Sequence, residues 1–240
     1  MPDRTRLIII AVVVVNLAII LVAALVIAPR LDHKALMSGL VAGAKVGVAL
    51  DPESSTAHVT LGLGYSAQGD YEKAIEAFTR AIELDPEDYE AYIFRGRAYR
   101  WSGRYEQGLE DFNIALEMSR NNLEALDGRA RLRVLTEDYA GAIEDYTRII
   151  ELDPGNAERY TQRAGAHLDA GDHSAARDDY TRAIELDPTN PERHTRRSRA
   201  HSEAGDHRAA IADYTRAIEL DPTNHHRYIH RGRGHSEAGR

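Results

Sequence analysis

Apolar and polar positions divide the chain into three regimes. From Leu7 to Ala28 every residue is apolar except Asn16. At 1.5 Å per helical residue that run would reach about 33 Å, the depth of a hydrocarbon core, and it predicts a transmembrane helix over 7–28 behind a short polar N-terminus, 1–6. A cleaved signal peptide is the competing reading. Its apolar core would be shorter, Pro29 directly after Ala28 is a poor cleavage context, and the Ala-Gly-Ala at 42–44 lies too far downstream. Residues 35–50, within a 29–54 connecting stretch, are apolar again but carry Gly39, Gly43 and Gly47, and they predict a degenerate capping helix. Glycine costs about 1 kcal/mol in an exposed helix, so close packing on a neighbouring helix or on lipid is expected to compensate.

The third regime is periodic. Leu-Asp-Pro ends at Pro52, Pro86, Pro154, Pro188 and Pro222, an interval of 34 residues with one skipped beat where Arg120 stands. Self-similarity at this period predicts helical hairpins that bury their apolar faces only against their neighbours. The units are 55–88, 89–122, 123–156, 157–190 and 191–224, followed by a half unit, 225–240. Small residues at Gly62, Gly96, Ala130, Ala164 and Ser198, and at Ala74, Ala142, Ala176 and Ala210, stand where paired helices must cross closely. Gly69, Gly103, Gly171 and Gly205 stand between the helices of a unit, suited to a left-handed helix end, with Glu137 the exception. Asp-Pro-x-Asn stops the second helix, and Asn156 and Asn190 are placed to cap the next.

In the first unit Leu61, Gly62, Tyr65, Ala74, Phe78, Ala81 and Pro86 fall on one spacing: L-G-x2-Y, then A-x3-F, then P. The chain therefore resembles the tetratricopeptide repeat family, and the wording of its repeats resembles bacterial members. The resemblance implies an all-α, right-handed superhelical solenoid of helix hairpins, here preceded by the transmembrane helix. It also implies that a partner peptide or helix binds in the concave groove lined by first helices. Family groove places in the second and third units carry Ile93, Phe94, Arg97, Arg100, Trp101, Asp127, Arg131, Val134 and Leu135, a mixture of aromatic and guanidinium groups typical of interaction hot spots. Val59, Leu63, Phe94 and Glu124 stand at four of the five places of the family's chaperone-tail clamp, which argues against that partner.

Arg95, Arg129, Arg163 and Arg197 occupy a first-helix place that the family pattern gives to Leu, and Asp111, Asp145, Asp179 and Asp213 follow each at a fixed offset. The first unit has Leu61 and Ala77 instead. Because the two charges come and go together, they are expected to pair within each repeat, a carboxylate offsetting the desolvation of a partly buried guanidinium.

A net charge of -8 disfavours generic nucleic-acid binding, and the absence of cysteine removes disulfides and thiolate sites. No phosphate loop, metalloprotease helix or nucleophile elbow is present, so neither an enzyme nor a cofactor is expected. His226 and His230 lie one helical turn apart among His225 and His235, but no metal site is assigned. His167, His201 and His235 replace tyrosines, as do His173 and His207, and they are read as smaller aromatics whose burial favours the neutral form. Arg4, Arg6 and the free amine nearly balance Arg30, Lys34 and Lys45 across the apolar run, so the side of the membrane is almost undetermined, inclining to the periplasm of a bacterial inner membrane.

These features point to a membrane-anchored interaction scaffold with an unidentified protein partner. The rival is a self-assembling subunit: an unpaired second helix near 36–50 and an unpaired first helix at 225–239 would stack head to tail into filaments, or close as a homo-oligomer.

Overall fold

The computed structural model describes residues 33–239, which form twelve helices and, within that span, no strand. A long helix α1 (His33–Leu50) precedes hairpins α2 (Ser55–Gln68) with α3 (Tyr71–Leu84) and α4 (Tyr89–Trp101) with α5 (Tyr105–Met118). Then come α6 (Leu123–Leu135) with α7 (Tyr139–Leu152), α8 (Ala157–Asp169) with α9 (His173–Leu186), α10 (Pro191–Glu203) with α11 (His207–Leu220), and finally α12 (His225–Ala238). They fall into two compact units, one ending at Arg120 and one beginning at Asn121. Within each unit every helix packs on its predecessor.

Helix ends follow the period. Asp70, Asp138, Asp172 and Asp206 accept a backbone N–H at the start of four of the five second helices, α5 having Arg104 there with no such bond, while Ser54, Asp88, Asn122, Asn156, Asn190 and Asn224 do so for first helices. Each cap satisfies a donor the helix cannot, worth about 1 kcal/mol. Gly69, Gly103, Gly171 and Gly205 close first helices with φ of +77° to +82°. Glu137 takes the same left-handed geometry, φ 63°, without being glycine. The turn is thus dictated by hairpin packing, and the third repeat tolerates a strain of about 1–2 kcal/mol there.

In the N-terminal unit Phe78 is fully buried, its ring held against Gly62 and stacked 5.8 Å from Phe94. Helix α1 lies on α2 through buried Val41 and Ala44. The close approach expected of Gly39, Gly43 and Gly47 is not made by them: a Cβ at any of the three would meet nothing within 4 Å. Gly64 of α2 makes it instead, because a Cβ there would come within 3.1 Å of Val41. In the C-terminal unit Tyr180 fills the centre among Ala164, Leu168, Ala176 and Ala200. Among the described residues no helix is long and apolar enough to cross a membrane, and the span expected over Leu7–Ala28 lies outside them.

Candidate partner-binding surface

A charged framework of paired Arg and Asp side chains lies beneath the surface. Arg163 donates Nε and Nη2 to the two carboxylate oxygens of Asp179, at 2.8 and 2.7 Å, and Nη1 to Thr147 Oγ1 at 3.0 Å. Arg197 makes the same three bonds to Asp213 and Thr181, and Arg95 to Asp111 and Thr79. Arg129 bonds both oxygens of Asp145, which Arg133 also reaches at 2.8 Å. Each bidentate guanidinium ties its own second helix by Asp, and Arg95, Arg163 and Arg197 also hold the preceding second helix by Thr. Burial pushes the Asp111 carboxyl above its ordinary pKa against the pull of Arg95. Burial acts the same way on Asp213, but Arg197 and His194 outweigh it and hold that carboxyl below the ordinary range.

A second arginine row was not anticipated. Arg193 is buried, donating to Thr161 at 3.2 Å and to the Asp187 carbonyl, and Arg227 repeats this with Thr195 at 3.0 Å and Asp221. Arg159, on the same register, donates to Asp127 at 2.8 Å. The recurrence of Arg159, Arg193 and Arg227 at the repeat interval was the available signal. It was masked because Ala91 and Ala125 hold the place earlier in the chain.

First helices of the C-terminal unit line a groove of about 880 Å³. Gly165, Asp169, Arg199, Glu203, Arg233 and Glu237 edge it, with Leu168, Tyr180 and Tyr214 at its base. These edge places are one or more repeat intervals beyond Arg97, Trp101, Arg131 and Leu135, so the groove keeps the register expected of a concave face but lies further along the chain than the second and third repeats. Burial pushes the Tyr180 phenol above its ordinary pKa, which keeps it neutral.

The sequence-chosen residues divide between the two units. Trp101 is 61% exposed; it stacks on Tyr71 at 6.3 Å, with the Arg100 guanidinium 4.5 Å above its ring. Arg97 is partly exposed. Phe94 is half-buried on Phe78, and Ile93, at 2% exposure, presents no surface to a partner: it faces the core and is corrected from the groove to the interior. In the other unit Leu135 is half exposed, Val134 less so, and Arg131 is exposed with its Nε on Asp127 at 2.7 Å.

The histidines do more than replace aromatic rings. His173 Nδ1 faces Glu203 at 3.6 Å and His207 Nδ1 faces Glu237 at 3.4 Å, while His167 and His201 approach Asp179 and Asp213 at 4.0 and 3.9 Å. Among the described residues His230, stacked 5.7 Å from Tyr214, is chiefly a ring contact. Among the described residues no cluster of three or more His, Asp or Glu side chains could hold a metal.

Arrayed hairpins with a groove on the first-helix face define a helical repeat protein of the interaction class. The tetratricopeptide repeat model matches residues 59–122, 95–157, 128–191 and 161–225, and the chain belongs to that family. No curated protein matches it significantly. Among solved structures it is similar in fold to the MamA protein, at 20% identity and TM-score 0.66 over 71% of this chain and 93% of that one. It is also similar to a MamA fragment from Desulfovibrio magneticus RS-1, at 18% identity and TM-score 0.67 over 71% and 97%. A further likeness is to YrrB, described as a TPR protein with an unusual peptide-binding site, at 19% identity and TM-score 0.68 over 79% and 97%.

Proposed function

We propose that this protein is an interaction scaffold that binds a partner peptide or helix along the concave face of its C-terminal unit, anchored to a membrane through Leu7–Ala28. The groove on the first-helix register carries the partner reading: it combines a recessed apolar floor with exposed guanidinium groups, the mixture that produces interaction hot spots. Trp101 and Leu135, exposed on the same register in the other repeats, are secondary contact candidates. The anchor rests on the apolar run alone, interrupted only by Asn16.

A photo-crosslinking residue placed at 165 in the groove, and in parallel at exposed Arg182 on a second helix, tests the surface in cells. A discrete protein adduct from 165 and none from 182 supports the reading; equal adducts at both places reject it. Retention of the full chain in alkaline-washed membranes, with release of a chain lacking 1–28, supports the anchor, and equal release of both rejects it.

A further inference from the structure

We propose that the outward face of α1 lies on an anionic lipid surface, seating Ala42, Val46, Ala49 and Leu50 at the boundary between headgroups and acyl chains. This rests on the anchor reading above and adds a second membrane contact, made by the folded part of the chain.

The face is apolar where its counterparts are charged. Val41 and Ala44 are buried against α2, whereas Ala42, Val46, Ala49 and Leu50 are exposed, Val46 and Leu50 at 56% each. At 100° per residue Leu50 stands half a turn round the helix from Val41, with Val46 close beside it. One repeat interval along, the places of Ala42, Val46 and Ala49 carry Glu76, Arg80 and Glu83. Later second helices carry Glu144, Arg148 and Glu151, then Asp178, Arg182 and Glu185. In those three helices the arginine bonds the glutamate that follows it, at 3.0, 2.7 and 2.9 Å, an ion pair on a water-facing surface. Leu84, Leu152, Leu186 and Leu220 share the place of Leu50, so the difference lies in the other three residues. Helix α1 has exchanged a solvated face for an apolar one.

Position and charge favour lipid over another protein. The apolar run ends at Ala28 and α1 starts at His33; the four residues between span about 14 Å at most, so an anchor in 7–28 holds α1 at the bilayer surface. Ahead of Asp51 the only acids are Asp3 and Asp32, against Arg4, Arg6, Arg30, Lys34 and Lys45, although the chain as a whole carries -8. Lys45 is exposed on α1 itself, at the border of the apolar strip. An apolar strip bordered by cations suits the interface of an anionic bilayer. Gly39 and Gly43 share the strip, and a Cβ at either would meet nothing within 4 Å, which makes α1 of a second copy the rival occupant.

The chain has no cysteine, so one introduced cysteine carries one label. An environment-sensitive nitrobenzoxadiazole dye is placed on Val46→Cys, on Arg80→Cys at the matching place of α3, or on Ile19→Cys within the apolar run. The full chain is then reconstituted into phosphatidylcholine vesicles with and without phosphatidylglycerol. The dye at 46 is expected to emit further to the blue than the dye at 80 and to be quenched severalfold more by spin-labelled lipid, the more so with phosphatidylglycerol present. Val46→Arg with Ala49→Glu, a pair that α3 already carries, should abolish lipid quenching of a dye on Leu50→Cys without lowering the melting temperature. Lipid quenching at 46 no greater than at 80, or no greater with phosphatidylglycerol than without, overturns the proposal. A dye at 46 shielded from iodide and lipid alike, with Val46→Cys chains joining as disulfide dimers, gives the face to a second copy and also overturns it. Quenching at 19 but not at 46 leaves the anchor standing and rejects the surface contact; quenching at 46 but not at 19 does the reverse. If neither is quenched, both fall.

Discussion

Splitting one Arg–Asp clasp should cost far more than deleting it whole, and Arg163 with Asp179 is the pair to test. Asp179→Ala removes two charge-assisted hydrogen bonds of 2.8 and 2.7 Å and leaves the guanidinium with Thr147 and the Tyr160 ring, 5.9 Å away. Bonds to charged groups are worth about 1.5–3 kcal/mol each, but the Arg163 side chain is 20% exposed and recovers part of that from water. The expected loss is about 2 kcal/mol. Arg163→Leu strands a carboxylate that is only 8% exposed, with the His167 ring nitrogen 4.0 Å away, and should cost about 3 kcal/mol. Making both changes reproduces the Leu61 and Ala77 of the first repeat, so the double variant should lose only about 2 kcal/mol, leaving a coupling energy of about 3 kcal/mol. Urea unfolding followed by circular dichroism gives the cycle, and hydrogen exchange over α8 and α9 locates it, since opening in a linear array is local. Additive losses, with coupling below about 0.5 kcal/mol, would refute the clasp as a unit.

Three further outcomes follow from the backbone and from burial. Gly62→Ala places a Cβ 2.5 Å from the buried Phe78 ring and should destabilise the N-terminal unit by about 1–3 kcal/mol, whereas Gly39→Ala meets open space and should stabilise α1 by about 0.5–1 kcal/mol, both read from thermal melts. Glu137→Gly relieves the left-handed strain of a non-glycine residue and should raise stability by about 0.5–1 kcal/mol in urea titrations; a loss would show that the Glu137 side chain contributes something the geometry does not record. Burial holds His201 below its ordinary pKa despite nearby Asp213 and Asp206. Its neutral form therefore contributes fully above the unfolded value of about 6.5, and the contribution is lost as pH falls from there through the folded pKa. Exchange in α10 should accelerate between neutral and mildly acidic pH, and the acceleration should disappear in His201→Tyr; acceleration that persists in His201→Tyr would assign the effect elsewhere.

The architecture was legible because its determinants are local and repeated. Leu-Asp-Pro, the capping Asn and Asp residues and the left-handed glycines each act over a single turn of chain, so a period of 34 residues carries them through the array with few exceptions, Arg104, Arg120 and Glu137 among them. The Arg and Asp registers were legible for the same reason, since a fixed offset of sixteen residues leads from one helix of a hairpin to the facing place on the other. Their threonine partners were not, because a hydroxyl one repeat earlier looks like an ordinary polar residue until two hairpins are stacked. Within the groove segment chosen from sequence, side-chain volume misled at Ile93, which is used by the core, and in part at Phe94, which stacks on Phe78, while Trp101 stays exposed with Tyr71 on one face. A recess instead forms where Gly165 withholds a side chain, and an absent group carries little weight in a search for binding residues. The histidines were read as small aromatics because the comparison with tyrosine supplied only shape. The acids they face lie on neighbouring helices, and the pairing of His173 with Glu203 crosses from one repeat to the next.

Hydrogen-exchange mass spectrometry of the full chain, with and without the partner captured by the crosslinker at 165, tests the central claim most directly. The account predicts new protection at the first-helix stretches 162–169, 196–203 and 230–237, with the outer faces of α9 and α11 unchanged. Protection confined to second helices, or spread evenly over both units, would contradict a partner site in the groove.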